Sequence, residues 1–271
     1  MKEPAARHEI TRRGLVYRLS GEELVPVRRD IEYRTTDSGP LVLDVYSPPA
    51  ASPGSRPPAV VLVVGFSDPG ARAMLGCAFK EFESFVSWAR LIASSGMAAI
   101  TYTTGKEPGA DGRALLAYLR ENASALNIDE DRIALWACSG HGPTALSLLI
   151  EDGGSLAAAA LLYAYTLDLD GATGIADAAK TIRFANPSAG KSVADLPPQT
   201  PLFVARAGQD ATPGLNEALD RFLAAAISRN LPLGFANHSG GPHAFDLMDD
   251  SEASRDVIRG TLAFLKASLR A

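Results

Sequence analysis

The sequence predicts an α/β fold, a mostly parallel central sheet with helices on both faces, opened by an antiparallel hairpin. Three observations predict it. Short apolar runs alternate with segments of helical period over most of the 271 residues, the pattern of strands buried on both faces and joined by crossover helices. The first 50 residues differ, with two strand-like runs around a turn. In mid-chain a buried strand runs straight into a helix through a single serine, Ser139.

Residues 25–34 and 41–46 form the expected hairpin, with Asp37-Ser38-Gly39-Pro40 as its turn chemistry. A Pro-rich, extended linker follows over 47–58. Residues 59–64 are a β-branched run that reads as a buried strand, followed after a Gly-rich loop by a helix ending near Ser95. A strand is predicted over 97–102 and a helix over 110–125, where Leu115, Leu116, Leu119 and Leu126 recur on one face. Asp129-Glu130-Asp131 marks a turn. The alternation continues with strand 132–137, helix 142–150, strands 157–165 and 201–205, helix 213–229, strand 231–236 and helix 251–269. Residues 166–200 break the rhythm, being too long for an ordinary crossover. They read as a small cap with a short helix around 174–183, or as a surface excursion away from any ligand. The whole of 1–271 is expected to be one domain, with 1–50 as N-terminal extension and hairpin.

Hydrophobic residues make up 46% of the chain and charged ones 21%, which excludes disorder and collagen-like repetition. A formal net charge of −5 gives no electrostatic attraction to a polyanion, so nucleic acid is not an expected partner. Residues 1–13 are charged and lack the apolar core of a secretory signal, and no run reaches the roughly 18 apolar residues of a membrane span. The expected location is the cytoplasm, with no membrane partner. Cys77 and Cys138 are the two cysteines, too few for a disulfide framework and without Cys-x-x-Cys spacing. No metal site and no cofactor are indicated, because the four histidines include neither His-Glu-x-x-His nor a Cys and His cluster. The sequence carries no signal of oligomeric state.

The segment Trp136-Ala137-Cys138-Ser139-Gly140-His141-Gly142-Pro143 has the layout of a nucleophile elbow, a sharp turn that lifts a serine above the carboxyl end of the sheet. Ala137 and Gly140 are small enough for the strained turn, and Pro143 suits a helix first turn, where its missing N–H costs nothing. The usual pattern is G-x-S-x-G, from which Ala137 and His141 depart. A bulky ring at 141 is expected either to open the elbow or to line the site.

With these residues the chain resembles an α/β-hydrolase of the dienelactone-hydrolase and esterase type, over roughly residues 41–270. The resemblance implies an acid after a later strand and a histidine after the last one, in the order Ser, Asp, His. Asp210, at the end of Pro201-Leu202-Phe203-Val204-Ala205-Arg206-Ala207-Gly208-Gln209-Asp210, and His243, in Gly240-Gly241-Pro242-His243-Ala244-Phe245, match those places. It implies hydrolysis of a small carboxylic ester or lactone. A serine hydroxyl is a poor nucleophile near neutral pH and needs a base. An imidazole suits that task, since its ordinary pKa near 6.5 lets it take the proton and return it. The acid fixes the tautomer and stabilises the imidazolium. The implied oxyanion hole is the N–H of Gly140 and one from Gly65-Phe66-Ser67-Asp68, that of Phe66.

Rival readings accompany each residue. Ser139 could be a helix N-cap, and Cys138 a thiol nucleophile, although Trp136 would then stand where the elbow needs a small side chain. His238 competes with His243, while Asp168, Asp170 and Asp246 compete with Asp210. Tyr165, Phe66 and Phe245 flank the site as candidate pocket residues. Phe79, Phe82, Phe85 and Trp88 recur at helical spacing and read as a core stripe. His8, in the charged N-terminal segment, carries no functional role. Gly140-His141-Gly142-Pro143-Thr144-Ala145 also fits G-x-G-x-x-A, so a dinucleotide-dependent oxidoreductase is one alternative. A catalytically inactive protein of the same fold is another.

Overall fold

The computed structural model describes residues 7–49 and 54–270, so positions 50–53 of the expected linker and 1–6 of the N-terminal segment lie outside the described residues. Strands β1 (Val27–Thr36) and β2 (Gly39–Tyr46) form the antiparallel hairpin, closed by Asp37 and Ser38 with Gly39 in the positive-φ conformation that glycine tolerates. Strand β3 (Ala59–Leu62) is fully buried. Helices α1 (Asp68–Leu75) and α2 (Glu83–Ser94) precede β4 (Ala98–Tyr102). The stretch read as a Gly-rich loop therefore contains α1. That helix buries only Asp68 and Ala71, too little apolar periodicity to register in the sequence.

The helix expected over 110–125 is α3 (Pro108–Glu121) followed by α4 (Ala123–Leu126). Asn122 separates them, its side chain donating back to the Tyr118 carbonyl and competing with the helical ladder. Next come β5 (Ile133–Cys138), α5 (Gly142–Asp152) and β6 (Ala158–Leu162). Strand β6 stops earlier than expected because Tyr163 turns to a φ of 37°. Within 166–200, α6 (Gly174–Ile182) has the Ile175 and Ala176 N–H groups of its first turn held by the Asp168 carboxylate. The chain ends with β7 (Leu202–Ala207), α7 (Leu215–Ser228), β8 (Leu233–His238), α8 (Phe245–Met248) and α9 (Glu252–Leu269).

Within the described residues eight strands form one sheet in the order β1-β2-β4-β3-β5-β6-β7-β8. From β4 to β8 every pairing is parallel, whereas β1 with β2 and β2 with β4 are antiparallel. Helices cover both faces: α2 lies on β2 to β4 and α9 on β5 to β8, while α5 lies on β5 and α7 on β7. Strands β3 to β6 are buried almost throughout, as a doubly covered parallel sheet requires. Among the described residues no helix is long and apolar enough to cross a membrane.

Candidate active site

Ser139 directly follows the central strand β5 and adopts a φ of 49°, a left-handed conformation that costs a non-glycine residue free energy unless its surroundings impose it. They do so here. The Ser139 N–H donates to the Tyr163 carbonyl at 3.1 Å, and the Ser139 carbonyl accepts from the Tyr165 N–H at 3.0 Å. At Gly142 an added Cβ would lie 2.0 Å from the Tyr165 carbonyl oxygen. Close packing of α5 on the segment that follows β6 thus falls at 142, one position later than the usual motif, and His141 does not open the elbow.

The structure brings Ser139, His243 and Asp210 together. Ser139 Oγ lies 3.0 Å from His243 Nε2, and His243 Nδ1 lies 2.6 Å from Asp210 Oδ2. Asp210 Oδ1 accepts from the Thr212 N–H. Burial pushes the Asp210 carboxyl up, but the hydrogen bonds from His243 and Thr212 outweigh it and hold the group below the ordinary carboxylate range. The loops bearing acid and histidine are laced together: Gly208 N–H donates to the His238 carbonyl at 2.8 Å, and Gln209 N–H to the Gly241 carbonyl at 2.9 Å. A side chain at 208 would meet the Ser239 carbonyl oxygen at 2.5 Å, so that approach requires glycine.

The competing residues are placed elsewhere. His238 Nε2 lies 2.9 Å from Asp249 Oδ2 and 3.0 Å from Ser254 Oγ, tying β8 to the start of α9. Asp168 caps α6, and Asp246 accepts from Tyr163 Oη at 2.6 Å and Trp88 Nε1 at 2.8 Å. Burial pushes the Asp246 carboxyl up despite these two donors. Tyr163 in turn sets its ring edge-on to that of His243, centroids 5.1 Å apart. Sequence reasoning missed this support of the imidazole. The signal was available in Trp88, since an indole N–H placed in a core needs an acceptor. Cys138 sits behind the elbow, where burial and the Asp246 carboxylate push its thiol up, the opposite of an activated nucleophile.

The N–H groups of Phe66 and Gly140 make no hydrogen bond with any described residue. The segment after β3 and the elbow are in close contact: a Cβ on Gly140 would lie 2.8 Å from the Phe66 ring and one on Gly65 would lie 2.6 Å from the Gly140 carbonyl oxygen. A cavity of about 560 Å³ runs from Ser139 between α1 and the end of α6. Phe66, Phe79, Phe82, Met74 and Ile182 give it an apolar wall, and Ile10 closes it from the N-terminal segment. That segment is docked by the His8 N–H on the Leu75 carbonyl. Phe79 and Phe82 are therefore both core and cavity wall. Of the expected pocket residues, Phe66 and His141 line this cavity, whereas Phe245 is fully buried against Tyr163 and His238 and Tyr165 lines a separate hollow of about 340 Å³ beside α6.

Sheet order, elbow and loop placement together define the α/β-hydrolase fold. Solved structures that share it include the following. The chain is similar to MGS-M1, an α/β-hydrolase enzyme from a Medee basin deep-sea metagenome library, with 19% identity, 91% of this chain and 99% of that one covered, and a TM-score of 0.64. It is likewise similar to the thermophilic esterase Est2 of Thermogutta terrifontis, with 18% identity, coverage of 91% and 93%, and a TM-score of 0.66. For the esterase LipW of Mycobacterium marinum the values are 17%, 91% and 83%, and 0.66. The chain matches no family model, and no curated protein sequence matches it.

Proposed function

We propose that this protein is a serine hydrolase that cleaves a small carboxylic ester, with a lactone as the cyclic version of the same substrate. The observation that carries the reading is the unbroken hydrogen-bonded chain from Ser139 through His243 to Asp210, at 3.0 and 2.6 Å. Ser139 Oγ attacks the carbonyl carbon while His243 Nε2 takes its proton. The charge that develops on the carbonyl oxygen is received by the Phe66 and Gly140 N–H groups. Collapse of the tetrahedral adduct expels the alcohol, which leaves with the proton from His243. Water then attacks the acyl-enzyme, gives its proton to His243, and the acid departs as Ser139 Oγ is reprotonated. Asp210 accepts from Nδ1 throughout, keeping Nε2 free to receive the serine proton. The apolar cavity beside Ser139 accommodates the acyl chain.

The esterase neighbours support this reading, and so does the phosphorylation of the Thermogutta esterase by paraoxon. The dinucleotide alternative is disfavoured by one of the glycines it would use. Gly142, the glycine that would have to admit a pyrophosphate, is instead packed on the Tyr165 carbonyl oxygen, which an added Cβ would meet at 2.0 Å. The test is hydrolysis of p-nitrophenyl butyrate together with labelling by a fluorophosphonate, in wild type and Ser139→Ala. Wild type should turn over and be labelled, and the variant should do neither at an unchanged Tm. An unlabelled, inactive wild type would favour the inactive relative, and a labelled Ser139→Ala would place the nucleophile elsewhere.

A further inference from the structure

His141 is the residue by which the elbow departs from its usual glycine, and it is neither solvent-facing nor idle. The ring is 4% exposed, and its Nδ1 accepts the Gly65 N–H at 2.8 Å. Acceptance at Nδ1 places the proton of the neutral imidazole on Nε2. Phe66, Phe79 and Phe85 surround the ring edge-on with centroids 5.0 to 5.3 Å away, and burial holds its pKa down to about 3, so the acceptor nitrogen stays unprotonated.

Gly65 explains why such an acceptor is needed. Its backbone approaches the elbow so closely that a Cβ would meet the Gly140 carbonyl oxygen at 2.6 Å and His141 Cα at 2.9 Å. Only glycine fits, and glycine leaves φ and ψ free. That freedom would let the next amide, the Phe66 N–H, swing away from Ser139. Two hydrogen bonds remove it. The peptide plane before Gly65 is fixed by its N–H on His141 Nδ1, and the plane after it by the Ala185 N–H on the Gly65 carbonyl at 2.7 Å. The Phe66 N–H belongs to that second plane and points opposite its anchored carbonyl. Because His141 immediately follows Gly140, one side chain links the strand-end loop to the residue offering the other free amide.

We infer that His141 is a positioning residue that sets the Phe66 amide relative to the Gly140 amide by gripping Gly65 from beneath. The inference rests on the serine-hydrolase reading of the same site. Misplacing a donor by about 1 Å costs up to about 100-fold in rate, and outright loss of one costs about 100- to 1,000-fold. His141→Leu removes the acceptor and keeps an apolar side chain, while His141→Asn restores a carbonyl acceptor at similar reach.

The test compares wild type, His141→Leu and His141→Asn in kcat and KM for p-nitrophenyl butyrate, in Ki for butylboronic acid as a tetrahedral anionic mimic, and in exchange of the Gly65 and Phe66 amide protons. His141→Leu should lower kcat by about 10- to 100-fold, weaken the boronate in parallel, leave KM within about threefold, and speed amide exchange. His141→Asn should recover part of each loss. A folded His141→Leu with wild-type kcat and boronate affinity overturns the inference, as does a His141→Asn no better than leucine. If neither variant folds, fast Gly65 exchange with unprotected loop amides already in the wild type would overturn it. A wild type that is neither labelled by fluorophosphonate nor active instead overturns the hydrolase reading, a result the amide-exchange arm keeps distinct.

Discussion

Asp210 Oδ2 lies 2.6 Å from His243 Nδ1, with the carboxylate side chain wholly out of solvent and the imidazole 33% exposed. The acid is thus a fixed, buried anchor beneath a base that can meet substrate. Asp210→Asn keeps the shape but presents an amide that can donate to Nδ1, selecting the tautomer with its proton on Nε2. We expect kcat to fall by about 1,000- to 10,000-fold with the fold intact, measured by ester hydrolysis alongside near-UV circular dichroism. The carboxyl of Asp210 is held below its ordinary value. Its contribution to stability is therefore present above the unfolded pKa near 3.8 and lost as pH falls through the lower folded value. The asparagine variant should lack that acid-dependent loss in denaturant titrations below pH 4.

His238, at the end of β8, and His243, in the loop after it, should separate cleanly. His243→Ala removes the partner of Ser139 and should abolish turnover with little change in Tm. His238→Ala strips Asp249 and Ser254 of a shared partner and leaves a void beside Gly241, whose missing side chain makes room for that ring. It should destabilise by about 1 to 3 kcal/mol and leave kcat within about tenfold. Urea melts and steady-state kinetics on both variants check this; an inactive but fully stable His238→Ala contradicts it.

Asp68 is a buried carboxyl that accepts the Phe79 and Thr104 N–H groups, yet burial outweighs them and raises its pKa to about 6. A carboxyl raised on folding binds more protons in the native state than in the unfolded chain between pH about 4 and 6. Its contribution to stability therefore grows as pH falls through that window. Asp68→Ala should be more destabilising relative to wild type at pH 4.5 than at pH 7.5, by at most about 3 kcal/mol. A difference independent of pH would show that the group stays ionised.

The cavity beside Ser139 predicts an acyl-length preference. Each methylene buried in it is worth about 0.8 kcal/mol, or roughly fourfold in kcat/KM until the chain meets Ile10 and Phe82. Ala71, on the cavity-facing side of α1 and 3% exposed, is the place to shorten it. Ala71→Leu should lower the hexanoate-to-acetate ratio of kcat/KM by about tenfold or more while leaving acetate hydrolysis within about threefold. Equal losses for both esters would place the acyl chain elsewhere.

Local signals carried some elements and not others. Strands β3 to β7 were legible because each is a short, largely apolar run between breakers, and the ends of α6 and α9 agreed with sequence to within a residue or two. Helix α1 was not, because only Asp68 and Ala71 are buried. Tyr163 was read as strand interior, whereas β6 ends before it, its φ turns to 37° and its ring lies edge-on to that of His243. Phe245 was read as pocket wall from its place near His243, but α8 turns it inward to full burial.

By itself the sequence determined the alternation of strands and helices, the serine at a strand-to-helix turn, and the two loops that offer an acid and a histidine. These depend on periodicity, small residues and glycine-rich turns, all local properties of the chain. The tertiary structure decided which partners meet: that His243 rather than His238 reaches Ser139, that Asp246 serves Trp88 and Tyr163, and that His141 takes the Gly65 amide. Those choices are made by contacts between residues 76 to 158 positions apart. Sheet order and close backbone approach fix such contacts, and no window of sequence contains both partners.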